Sequence, residues 1–184
     1  MLSRLFCNTG ARTMDDEIRL ERPIDLTISS LDEDIDIVER DRQALEPVKK
    51  SLAENGFYAY TTYDDQQRWS VAVDDEAGRI DVRVGMDGYR VELWGSSPGM
   101  FADEENEWKR RAQQRLVRIM LPNIARGHLG EHQQVMWDEV EQGIAVRIAY
   151  DLPFTRGHQI GQFVRDHLPE LEDTLTLVES QIEI

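Results

Sequence analysis

The stretch FYAYTTYDDQQRWSVAVDDEAGRIDVRVGMDGYRVELW, residues 57–94, decides the fold class. It contains four runs rich in aromatic and β-branched residues: 57–63, 68–74, 79–84 and 89–94. Side chains in a strand alternate between two faces, so Trp69, Val71 and Val73 share one face. Ile80, Val82 and Val84 likewise share a face, with Asp81 and Arg83 pointing the other way. The separators, Asp64-Asp65-Gln66-Gln67, Asp75-Glu76-Ala77-Gly78 and Gly85-Met86-Asp87-Gly88, have hairpin length and turn chemistry. The pattern predicts an antiparallel β-meander with one solvated face.

Helices are predicted on either side. Leu45, Val48 and Leu52 recur at helical spacing, and Pro47 suits a first helical position, so a short helix is expected from there to the cap Asn55-Gly56. After the breaker Gly95-Ser96-Ser97-Pro98-Gly99, residues 103–121 read as a helix whose apolar stripe is Trp108, Ala112, Leu116, Ile119 and Met120, stopped by Pro122. A second hairpin is expected from Gln133–Val140 and Ile144–Tyr150. A final helix from about Gly157 to Val178 carries Ile160, Phe163, Val164, His167, Leu168, Leu171, Leu175 and Val178 on one side. The order is α-β-β-β-β-α-β-β-α. This is a single α+β domain, a β-meander plus a β-hairpin packed against helices. Residues 41–184 form that domain, and residues 1–40 are expected to be a flexible acidic arm, with Ile24, Leu26 and Ile28 as a short edge strand. Met14 before Asp15-Asp16-Glu17 reads as a more natural start, so residues 1–13 are expected to be an over-extended leader.

Composition narrows the function classes. The chain has 184 residues, 40% hydrophobic and 31% charged, which is a globular composition large enough for a core without staples. Its net charge of −15 repels phosphate backbones and anionic lipid, which argues against nucleic-acid and membrane partners. The acidity lies mainly in residues 15–107, with 25 acids against 10 bases. One cysteine, Cys7, excludes an internal disulfide framework and a Cys-rich zinc site. No apolar run is long enough to span a bilayer or serve as a secretory signal, and a cytoplasmic location is expected.

Phosphate-loop and dinucleotide motifs are missing, as is a G-x-S-x-G nucleophile elbow. His128-Leu129-Gly130-Glu131-His132 has the H-x-x-E-H spacing of one zinc-protease class, in which two imidazoles bind Zn²⁺ and a Glu supplies the base. Such a motif needs a helix. Here Gly127 and Gly130 interrupt it between a helix stop and a strand. A metal-dependent hydrolase using His128, Glu131 and His132 therefore stands as the alternative, and no cofactor is expected. His167, on the last apolar stripe, reads as a boundary residue.

Two features point to a protein partner. Lys109, Arg110, Arg111, Arg115, Arg118 and Arg126 form a basic run with no acid between Glu107 and Glu131. Within it Arg111, Arg115 and Arg118 are the candidate patch for an acidic partner. Aromatic and Met residues exceed what one sheet–helix layer needs, and Trp94, Met100, Phe101 and Trp137 are the candidates for lining a partner surface.

Three segments carry a family resemblance: Leu52-Ala-Glu-Asn-Gly-Phe57, Met120-Leu-Pro-Asn-Ile-Ala-Arg-Gly-His128, and Gly143-Ile-Ala-Val-Arg-Ile-Ala-Tyr-Asp-Leu-Pro153 before a long terminal helix. With the element order they resemble the YbjN-like family and the type III secretion chaperone-like fold over roughly residues 40–180. The resemblance implies a non-enzymatic binding or regulatory protein, often dimeric, that clasps a segment of another protein. It transfers no functional residue. A chaperone-like or regulatory module holding a partner protein segment, or a second copy of itself as a homodimer, is the expected function.

Overall fold

The structure, a computed structural model, describes residues 28–63 and 68–182, with side chains described from Glu39 onward. Six strands form one antiparallel sheet: β1 (Ala59–Tyr63), β2 (Trp69–Asp75), β3 (Gly78–Val84), β4 (Gly88–Ser97), β5 (Gln133–Asp138) and β6 (Gly143–Pro153). Their spatial order is β1-β2-β3-β4-β6-β5. The helices are α1 (Ile28–Glu54), α2 (Glu107–His128) and α3 (Ile160–Ile182), the last entered through a 3₁₀ turn at Phe154–Gln159. The α+β architecture and element order are those the sequence predicts.

The register of the meander brings the apolar alternations of successive strands together. Val71 pairs with Val82 and Val73 with Ile80; Ile80 pairs with Leu93 and Val82 with Val91. Leu93 then pairs with Ile148. These side chains therefore share one face and make the core with Leu45, Val48 and Leu52 of α1 and Val164, Leu171 and Val178 of α3. β4 and β5 each run antiparallel to β6, hence parallel to each other, and α2 makes the crossover between them.

Among the described residues, no helix packs on the opposite sheet face. Its centre is a charge cluster in which Asp81 and Glu92 pair directly across strands, are buried, and form ion pairs with Arg79, Arg83, Arg90 and Arg147.

Three expectations change. α1 starts at Ile28, not near Pro47, so residues 28–40 are helix rather than arm and Ile28 is not in a strand. Pro47 sits in the helix interior, where it costs one backbone hydrogen bond that the buried Leu45, Val48 and Leu52 outweigh. The expectations for residues 1–27, the leader and the remaining edge-strand positions, lie outside the described residues. α2 continues through Pro122 to His128. Its core face is Gln114, Val117, Leu121 and Ile124, not the predicted Trp108 stripe.

Candidate protein-docking surface

Asn106 starts α2, its Oδ1 accepting from the Lys109 amide at 3.1 Å. The helix packs on β5 through one face. Gln114 is buried on that face and donates from Nε2 to the Met100 carbonyl at 3.3 Å, which ties α2 to the loop after β4. The opposite face points to solvent. Trp108, Ala112, Leu116 and Ile119 lie there at spacings of four, four and three, with Trp108 79% and Ile119 61% exposed. α2 therefore carries apolar residues on two opposite sides, of which the sheet covers one.

Arginines flank the exposed stripe. Arg111, Gln114, Arg115, Arg118, Glu139 and Gln142 line a surface groove of about 490 Å³ between α2 and the β5–β6 turn. A neighbouring groove of about 380 Å³ shares Arg111, Gln114 and Gln142 and adds Met100. Arg118 donates to Glu139 at 2.8 Å and stacks its guanidinium 4.9 Å from the Trp137 ring centroid. Arg111 pairs with Glu107 within the helix. Arg115 is exposed and, among the described residues, has no hydrogen-bond or ion-pair partner. Gly99 N donates to the Glu141 carbonyl at 2.8 Å and Met100 N to the Gln142 carbonyl at 3.0 Å, clamping the loop to the turn. Phe101 (φ 63°) and Gln142 (φ 51°) both adopt the left-handed conformation in this clamp.

The structure gathers most of the predicted residues here, but in a different arrangement. Met100, Phe101 and Trp137 are half-buried and pack against the core beneath the groove, so they support it rather than form an open aromatic surface. Arg111, Arg115 and Arg118 line its wall. Trp94 is elsewhere: it pairs with Arg147 and Trp137 with Ile144, three residues apart on β6, so the two indoles lie on opposite sheet faces. Trp94 instead carries the Arg147 guanidinium at 5.4 Å.

The histidine motif does not converge. His128 is the last residue of α2, and Glu131 lies in the turn before β5. Among the described residues, no group of three or more His, Cys, Asp or Glu is placed to hold a metal ion. His132 is engaged elsewhere, its Nε2 2.8 Å from Glu170 Oε1 on α3. Gln133 donates to the same oxygen at 2.9 Å, and the Tyr150 hydroxyl donates to the other. His167 stacks on Phe163, and both meet the Tyr150 ring edge-on.

Burial alone would raise the Glu170 carboxyl. The bonds from Tyr150, His132 and Gln133 outweigh it and hold the group below its ordinary 4.5. A carboxyl depressed by folding adds stability above its unfolded pKa and loses it as pH falls through the folded value. The Glu170→Gln chain is therefore expected to be less stable than the native one at neutral pH, with the gap closing below about pH 4.5. Urea midpoints across that range check this; a gap independent of pH would refute the assignment.

Compared with known proteins, the chain matches no family model, no curated protein and no solved structure. No helix among the described residues is long and apolar enough to cross a membrane.

Proposed function

We propose that this chain is a cytoplasmic, non-enzymatic protein-binding module of chaperone-like or regulatory type, working without a cofactor. It holds an acidic amphipathic segment of a partner protein along α2. The observation that carries this reading is the exposed Trp108–Ala112–Leu116–Ile119 stripe beside Arg111, Arg115 and Arg118.

The magnitudes assign separate roles to the two parts. Burying a large apolar side chain yields about 1.5–3 kcal/mol, so Trp108, Leu116 and Ile119 together offer roughly 5–9 kcal/mol. Association costs about 4–15 kcal/mol, so the stripe alone gives marginal binding. The arginines then choose the partner, because complementary charge sets specificity and encounter rate. A helix in a groove, anchored at three- and four-residue spacing, is the mode that fits.

A photo-crosslinking side chain at position 112, used in the native cytoplasm, tests the reading. It is expected to yield one dominant protein adduct, lost when Arg115 and Arg118 are both changed to Glu. The same probe at position 79, on the sheet face opposite the core, is expected to yield none. Adducts from 79 but not from 112 would overturn the assignment.

A further inference from the structure

We infer that the occupant of the α2 face is the first half of α1 from a second copy of this chain, in a reciprocal dimer. The inference rests on the docking reading above and names its partner.

The charge on α2 limits the choice of occupant. From Trp108 to Arg126 the helix carries six bases and no acid. Two α2 helices packed antiparallel about a two-fold axis would set Arg111, Arg115 and Arg118 of one copy along the same flank of the other. Like charges so placed disfavour that pairing. The segment that complements α2 is in the same sequence. Residues 28–41 carry Asp32, Glu33, Asp34, Asp36, Glu39 and Asp41 against the single base Arg40. Ile28, Leu31, Ile35 and Val38 recur among them at spacings of three, four and three. This stretch is helical, being the first half of α1. An acidic segment whose apolar residues recur at helical spacing complements a basic helix with an exposed apolar stripe.

Topology makes the contact intermolecular. α1 runs unbroken from Ile28 to Glu54 and packs on β1, β2, β3, α3 and the 3₁₀ turn, whereas α2 packs on β5, at the far edge of the sheet, and on α3. The strands that α1 packs on lie at the opposite edge of the sheet from β5, so a contact between α1 and the exposed face of α2 is assigned between copies. In the hydrogen bonds and ion pairs described for residues 39–43, the side chains engage only one another. Reciprocal exchange closes the pair, so no open chain of copies forms. The net charge of −15 on each copy opposes association at low salt, but at physiological ionic strength only charges within about 8 Å act strongly.

Sedimentation of the full chain over a micromolar concentration series tests this. The native chain is expected to reach a dimer. Variant one carries Asp32→Arg, Asp36→Arg and Glu39→Arg, spaced four and three apart like the arginines; variant two carries Arg111→Glu, Arg115→Glu and Arg118→Glu. Alone, each sets like charges face to face, and self-association should weaken by more than about a hundredfold. Mixed, they set basic α1 against acidic α2 and acidic α1 against basic α2, so a one-to-one dimer should return. Hydrogen exchange of the native chain needs no variant: protection over 28–41 and over α2 should rise together with concentration. A native chain that stays monomeric, or a dimer indifferent to both reversals, overturns the inference. If position 112 still crosslinks a different protein, the docking reading survives that failure; if it crosslinks nothing, both fall.

Discussion

The Gly161→Ala chain should unfold at markedly lower urea than the native protein, with a loss of about 3 kcal/mol. The reason is the crossing of α1 and α3. A Cβ at position 161 would stand 2.2 Å from the Ser51 carbonyl oxygen and 2.6 Å from Asn55 Nδ2. Backbone cannot rotate aside as a side-chain tip can, so the helices must separate. Separation breaks a buried strap: Gly161 N donates to Ser51 Oγ at 3.0 Å, and Ser51 Oγ donates to the His158 carbonyl at 2.9 Å. It also loosens Val48 and Leu52, both fully buried on α1. Against this, replacing Gly by Ala in a helix gains at most about 1 kcal/mol. The clash wins, and the melting temperature should fall by roughly 6–12 °C in a chain of this size. Gly127→Ala is the control. Nothing lies within 4 Å of that site, which is in α2. The same substitution there should stabilise by about 0.5–1 kcal/mol. Equal effects at the two glycines would refute the packing argument.

How much of this fold the sequence reveals depends on whether a choice is local. The hairpins were legible because alternation and turn residues sit within a few positions of each other, and Val71, Val73, Ile80 and Val82 do share a face. α2 was legible as a helix but not in its rotation. Trp108, Ala112, Leu116 and Ile119 make the stronger stripe, yet the sheet takes Val117, Leu121 and Ile124, and accepts Gln114 because Met100 supplies a carbonyl. Periodicity shows that a face is apolar, not which neighbour covers it. The separation of Trp94 from Trp137 depends on both being paired to β6, a parity that only the register reveals. Glu170 lies 38 residues from His132, and no local spacing announces such a contact. The start of α1 was hidden by Pro47, whose preference for a first turn is a tendency that tertiary burial overrides.

Glu92→Gln is the other change expected to cost heavily, about 3 kcal/mol, at a position on the sheet face over which no helix lies among the described residues. Glu92 is only 6% exposed, in the centre of the charge cluster. Its Oε1 lies 3.3 Å from Arg147 Nη1 and 3.5 Å from Arg90 Nε, and its Oε2 lies 3.7 Å from Arg83 Nη2. The carboxylate directly across is Asp81, so one repulsion opposes three attractions. At an effective dielectric near 20, each attraction is on the order of 4 kcal/mol before screening, and the single repulsion is no larger. The arginines are a quarter to two-fifths exposed, which reduces each figure substantially. The sign remains: the amide keeps the shape of the side chain but leaves three guanidiniums crowded around a neutral group. Asp81 cannot compensate, since it already pairs with Arg79 at 3.4 Å and Arg83 at 3.9 Å. The cluster also fixes register. Slipping β3 against β4 by one residue would turn Asp81 and Arg83 into the core and Ile80 and Val82 out of it. Urea unfolding of the native and Glu92→Gln chains, with Glu139→Gln as an exposed ion-pair control expected within about 0.5 kcal/mol of native, measures the difference. A Glu92→Gln chain as stable as the control would show that the arginines gain as much from water as from the carboxylate, and the cluster would then be a solvated surface rather than the clamp at the centre of the sheet.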